Sequence, residues 1–207
     1  MELVFVHGWG FDASFWDPLA TLLADYPQRR LERGFMGAPP NDDAGLAPAI
    51  LVGHSLGFVH GLKLRPWTGW VAINGFPRFV AGSGQAGCVP AYVLRIMGAR
   101  LETDTGHTLG EFYERIHAEA PKGTPDTEKL CDGLDELCDS NVGKLTGPGL
   151  VLASRTDPLV PNAVSETLAE LSGAPIRWHE SGGHLLPHSD PAWCAGAIKD
   201  FLAQVKP

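Results

Sequence analysis

The sequence predicts an α/β chain with a mostly parallel central sheet and a small helical insert, on three observations. Short apolar runs recur at Leu3–Val6, Ala49–Gly53, Gly69–Asn74, Leu150–Ser154 and Ile176–His179. The early ones alternate with turns and helical periodicity, an order that right-handed crossovers fold into parallel strands. After Phe79 that rhythm stops, and three amphipathic helical stretches take its place before Leu150 resumes it.

Leu3–Val6 is a buried strand that ends in the glycine-rich turn His7-Gly8-Trp9-Gly10. Phe15, Leu19, Leu22 and Leu23 recur at helical spacing, with Asp12 or Ser14 as N-cap, and predict a helix over 15–23. Arg30–Glu32 reads as a short strand before Gly34-Phe35-Met36-Gly37, and a Pro/Asp-rich loop fills 38–48. Strand 49–53, helix 56–64 and strand 69–74 follow. Residues 82–87 read as loop. Pro90–Met97 is the first helix of the insert. A capping box, Thr108-Leu-Gly-Glu111, opens the second. The third starts near Thr124-Pro125 and sets Leu130, Leu134, Leu137 and Cys138 on one face. Asp190-Pro191 caps a closing helix that buries Trp193, Ile198, Phe201 and Leu202. The plan is a core of residues 1–79 and 146–207 with a helical cap, 80–145, inserted in it.

Composition narrows the function classes. At 207 residues and 44% apolar content the chain can bury one core. A net charge of −8 argues against a nucleic-acid partner. No apolar run approaches the roughly 20 residues that span a bilayer. The chain runs from Met1-Glu2-Leu3 straight into a strand, so no signal peptide is expected and the cytoplasm is the expected compartment. Cys88, Cys131, Cys138 and Cys194 form no metal-ligand spacing and read as free thiols; no metal or cofactor is called for. Charge is unevenly spread. No acid lies between Asp43 and Glu102, where Lys63, Arg65, Arg78, Arg95 and Arg100 fall, whereas 101–145 is acidic. The basic stretch reads either as chance patterning or as a rim that attracts an anionic partner.

Gly53-His54-Ser55-Leu56-Gly57 is a G-x-S-x-G sequence between a predicted strand and a predicted helix, the context of a nucleophile elbow. It makes Ser55 the candidate nucleophile, with the Leu56 N–H aimed at a developing oxyanion. The turn after the first strand can bring the Trp9 N–H opposite as second donor. Serine needs a base, and His184, in Ser181-Gly182-Gly183-His184 after the last strand, is the best placed; His188 competes. His54 reads as pocket-lining and His7 as structural. Asp157, directly after a strand, is the acid that orients the base, and the chain order Ser55, Asp157, His184 fits a strand-end triad on this fold.

These motifs resemble those of the α/β-hydrolases. More narrowly the chain resembles the pimeloyl-[acyl-carrier-protein] methyl ester esterases, through Val6-His7-Gly8-Trp9-Gly10 with Phe15-Trp16, Gly34-Phe35-Met36-Gly37 and Asp132-Gly133-Leu134 with Leu137 and Asp139. Asp157-Pro-Leu-Val-Pro161 and His184 to Trp193-Cys194 extend the likeness. The resemblance implies hydrolysis of a methyl ester carried on acyl carrier protein; the chain departs from it in lacking the two N-terminal strands usual for the fold, so that its sheet is expected to be shortened. The cap's break from the sheet rhythm and its amphipathic helices lead us to expect that it covers the site, with a pocket drawn from Trp9, His54, Phe76, Tyr92, Phe112 and Leu185 and with Val89, Met97 and Ile116 as further apolar candidates. Arg78, Arg95 and Arg100 would meet the carrier. His54 stands where the family often has an aromatic residue. A general short-chain carboxylesterase, a triad-based lyase of the menaquinone-pathway type and a non-catalytic binding module are the competing readings.

Overall fold

The computed structural model describes residues 1–45, 47–82, 84 and 86–205; of the loops read at 38–48 and 82–87, residues 46, 83 and 85 lie outside it. Six strands form one sheet: β1 (Glu2–Val6), β2 (Gln28–Leu31), β3 (Ala49–His54), β4 (Gly69–Ile73), β5 (Gly149–Ser154) and β6 (Ile176–His179), in the order β2-β1-β3-β4-β5-β6. Every neighbouring pair is parallel. β3, β4 and β5 are buried along their whole length, which is why they read as unbroken apolar runs. β1 is flanked by β2 on one side and β3 on the other, so the order reverses there. A crevice opens at the C-terminal ends of β1 and β3, where parallel sheets bind ligands.

Alternate residues face opposite layers. Leu3, Phe5, Ile50, Val52, Val71 and Ile73 pack on one side with α1 (Asp17–Leu22) and α8 (Pro191–Leu202). Val4, Val6, Leu51, Trp70 and Ala72 pack on the other with Phe58 of α2 (Leu56–Leu64). Three helices stand between β4 and β5: α3 (Ala91–Thr103), α4 (Thr105–Arg115) and α5 (Thr127–Cys138).

Several elements differ from the sequence reading. The predicted helix over 15–23 divides into a 3-10 turn, Ala13–Trp16, and α1, because Pro18 sits in the first turn of α1 and cannot donate to the turn before it. β2 begins two residues earlier than expected. The capping box at Thr108 is not a helix start: Asp104 caps α4 by accepting from the His107 N–H, and Thr108 bonds back to the Asp104 carbonyl inside the helix. α6 (Asn162–Ser172) is an addition that the apolar patterning did not mark; Pro161 precedes it and Gly173, at φ 66, ends it in the left-handed conformation. A single turn, α7 (Leu186–Ser189), is also new. All four cysteines are free. Among the described residues no helix is long and apolar enough to cross a membrane.

One polar cluster fastens α5 to the sheet layer. The Glu136 carboxylate accepts from Arg33 after β2, from Lys63 on α2 at 3.0 Å and from His60 Nδ1 at 3.2 Å. The Arg33 side chain is only 8% exposed and Glu136 14%, so each charge depends on the other. Burial works against the Glu136 carboxylate, but His60, Arg33 and Lys63 outweigh it and bring its pKa to about 2. The folded value lies below the ordinary carboxylate range of about 4.3. This contribution is therefore complete above that range and lost as pH falls towards 2. Glu136→Gln is expected to cost roughly 3 kcal/mol at pH 7. It should also flatten the loss of stability on acidification below about pH 4.5. Urea titrations across pH check both effects; equal acid sensitivity in parent and variant would remove the clamp.

Candidate active site

Ser55 is the one residue between β3 and α2, and it sits at φ 52, ψ −126. A non-glycine residue adopts such a conformation only when its surroundings force it. Here the helix lies so close to the strands that a Cβ at Gly57 would stand 2.2 Å from the Val6 carbonyl oxygen, and one at Gly53 would stand 2.3 Å from Phe58 Cα. The turn also brings the first strand's loop against the serine: a Cβ at Gly8 would be 3.3 Å from Ser55 Cβ.

The loops after β5 and β6 supply the other two candidates. His184 Nδ1 donates to Asp157 Oδ2 at 2.8 Å, and both side chains are almost wholly buried. Asp157 Oδ1 accepts from the Leu159 and Val160 amides at 2.8 and 3.0 Å. Burial raises the Asp157 pKa, but the facing His184 and these amides overcome it and hold the carboxyl below its ordinary value. With Nδ1 committed as donor, the neutral ring presents Nε2 as its base. Ser55 and His184 share the wall of one cavity, and among the described residues no hydrogen bond yet joins them. His188 lies elsewhere: its Nε2 donates to the Phe15 carbonyl at 2.7 Å.

The turn after β1 is held by the helices of the insert. Trp9 Nε1 donates to the Leu130 carbonyl at 2.8 Å, the Trp9 ring meets Phe112 edge-on at 4.8 Å, and the Tyr113 hydroxyl donates to the Gly10 carbonyl. The main-chain N–H groups of Trp9 and Leu56 have no acceptor among the loop and cap hydrogen bonds of the described residues.

The cavity has a volume of about 270 Å³. Of the expected pocket residues Trp9, His54, Tyr92 and Phe112 line it, as do Val89 and Met97. Phe76 and Leu185 are corrected. Phe76 is fully buried beneath the wall, 5.0 Å from Phe79, which takes its place at the surface of the cavity. Leu185 is half-buried against the core just before α7, and Ile116 is buried behind the wall. His54 does more than line the cavity. Its Nε2 donates to the His184 carbonyl at 2.9 Å and its ring stacks on Phe15 at 4.5 Å, while burial holds it neutral.

The basic stretch does not form one rim. Lys63 is drawn to Glu136, and Arg65 to the Ala44 and Gly45 carbonyls. Arg78 donates to Asn141, and Arg100 lines the cavity paired with Glu111 at 2.8 Å. Arg95 is exposed. Among the described residues no cluster of three or more His, Cys, Asp or Glu side chains could hold a metal ion. One member of the site escaped the sequence reading. Asn74, directly after β4, donates from Nδ2 to Asp157 Oδ2 at 2.7 Å and to the Gly183 carbonyl at 3.3 Å. The available signal was an amide side chain at the end of a wholly apolar strand.

Residues 3–197 match the model of the alpha/beta hydrolase family. A pimeloyl-[acyl-carrier protein] methyl ester esterase of Stenotrophomonas maltophilia (strain K279a) is 28% identical over 246 aligned residues, covering 100% of this chain and 94% of the relative. Among solved structures, an esterase from Exiguobacterium antarcticum superposes with a TM-score of 0.83 at 15% identity, covering 99% of this chain and 92% of that one. A bromoperoxidase from Bacillus anthracis gives 0.83 at 14% identity, covering 98% and 92%. At such identities the structural likeness shows the fold, and the fold carries more than one chemistry.

The close contact at the turn gives a stability prediction. Gly57→Ala puts a methyl group against the Val6 and His7 carbonyls at the end of β1, which cannot withdraw. It should destabilise the chain by more than about 3 kcal/mol in urea unfolding. A variant of parental stability would mean that the turn is looser than its geometry implies.

Proposed function

We propose, from the premise that this chain belongs to the alpha/beta-hydrolase family, that it is a carboxylic ester hydrolase acting through Ser55, His184 and Asp157. The observation that carries the reading is the Asp157–His184 pair opening onto the same cavity as the strained Ser55 turn. Ser55 Oγ attacks the ester carbonyl while His184 Nε2 takes its proton, and Asp157 holds the ring and the charge it gains. The Trp9 and Leu56 N–H groups receive the carbonyl oxygen as it becomes an oxyanion. His184 returns the proton to the departing alcohol, leaving Ser55 acylated. Water, deprotonated by His184, then releases the acid and restores the serine.

A serine-directed fluorophosphonate should label the parent on Ser55 and leave Ser55→Ala unlabelled. His184→Ala and Asp157→Asn should each lower kcat by roughly four orders of magnitude or more with little change in KM. An adduct mapped to another serine, or a crippling His188→Ala beside a mild His184→Ala, would reassign the roles.

For substrate, the reading favoured is a methyl ester borne by acyl carrier protein. It is supported by the full-length similarity to an esterase of that name and by the mainly apolar cavity walls. The solvent-exposed Arg95, with Arg100 at the cavity, would meet the acidic carrier. Reversing both to Glu should raise KM for a carrier-bound ester several-fold, an effect that weakens with salt. Hydrolysis of a small free ester should show no such salt-dependent rise in KM. Indifference on both substrates would favour a general carboxylesterase.

A further inference from the structure

We propose that Asn74 is a positioning residue that couples the acid loop to the base loop and moderates the pull of Asp157 on His184. The inference rests on the triad reading above and extends it by one residue. Asn74 is 1% exposed, follows β4 and holds φ 48, a conformation that asparagine tolerates better than most side chains. Its Nδ2 reaches Asp157 Oδ2 and the Gly183 carbonyl together. Both partners only accept, so the amide can face them in one orientation alone, nitrogen first. That orientation leaves Oδ1 buried without a donor. A residue kept for packing would not retain such an orphan, because an unmade buried hydrogen bond is costly.

The arrangement has two consequences. Asp157 Oδ2 is shared between His184 and Asn74, while Oδ1 is taken by the Leu159 and Val160 amides. Each donor spreads the carboxylate's charge, so the Asn74 amide weakens the hold of Asp157 on an imidazolium. The second bond adds a hold on Gly183, the residue before His184, which sits at φ 65 and is otherwise tied to the acid loop only by its N–H on Thr156 Oγ1 at 3.3 Å. Asn74 does not line the cavity, so its effect reaches substrate only through its neighbours.

Other titratable or charged groups surround the pair. His54 of β3 touches the His184 carbonyl and is kept neutral by burial. The Cys88 thiol before α3 is pushed up by burial and by Asp157. His188 of α7 is spent on Phe15, and Arg115 of α4 reaches the Pro158 carbonyl. No other side chain among the described residues donates to both loops.

The test compares pH profiles of kcat and KM for 4-nitrophenyl butyrate in the parent, Asn74→Gly and Asn74→Asp, with Ser55→Ala and His184→Ala alongside. Glycine keeps the left-handed backbone and deletes the amide; aspartate keeps the shape and, buried against the Asp157 carboxylate, holds a proton that restores one O–H donor. The acid limb of kcat/KM should rise by about one pH unit in Asn74→Gly. It should rise less in Asn74→Asp, with kcat lowered and KM within about twofold in both, since the cavity is untouched. A fall in kcat with the acid limb unmoved would reduce Asn74 to a structural anchor, and unchanged kinetics would leave it no role; either overturns the inference. Full turnover in Ser55→Ala and His184→Ala would instead sink the triad reading, and this one with it.

Discussion

The close approach of α2 to the β1 and β3 strands is the constraint on which the site rests. Two glycines, Gly53 and Gly57, remove the side chains that would hold helix and strand apart. The chain must then reverse within one residue, and that residue, Ser55, takes a backbone conformation that side chains rarely adopt. Strain of this kind persists only where the surroundings over-determine it. Here the sheet beneath and the buried helix behind it fix the turn, so the hydroxyl arrives at the cavity with little freedom left to lose.

The features most legible in the sequence were those carried by contiguous residues. β1, β3, β4 and β5 announced themselves because strands buried on both faces are written as apolar runs, and the elbow because its glycines and serine are adjacent. α6 was missed for the opposite reason: Asn162–Ser172 is a helix with few buried side chains, Val164, Ser165 and Leu168, and gives too thin an apolar stripe to stand out. The division of the first helix was readable in Pro18 but masked by the spacing of Phe15, Leu19 and Leu22.

The site shows the same division. Ser55, Asp157 and His184 each follow a strand and could be placed by topology. Asn74 could not, because its meaning lies in two acceptors 83 and 109 residues away. Phe76 was expected where Phe79 stands, since nothing along a bend after a strand tells which aromatic ring faces inward. The basic stretch misled in a further way. Charges close in sequence were shared out to acids on other elements, with Lys63 drawn to Glu136 and Arg100 to Glu111, and a linear excess of charge did not gather into one rim.

The helices between β4 and β5 are tied to the Trp9 turn by Trp9 Nε1 on Leu130 and Tyr113 on Gly10. Gly133 adds contact: a Cβ there would stand 2.6 Å from the Trp9 ring. The same helices form most of the cavity wall. They are therefore not an interchangeable module. A chimera that borrowed them from a homologue would import a new binding wall and a new brace for the turn in one step. Selectivity and rate in this chain are inherited as a linked trait, and directed evolution of one has to search the other at the same time.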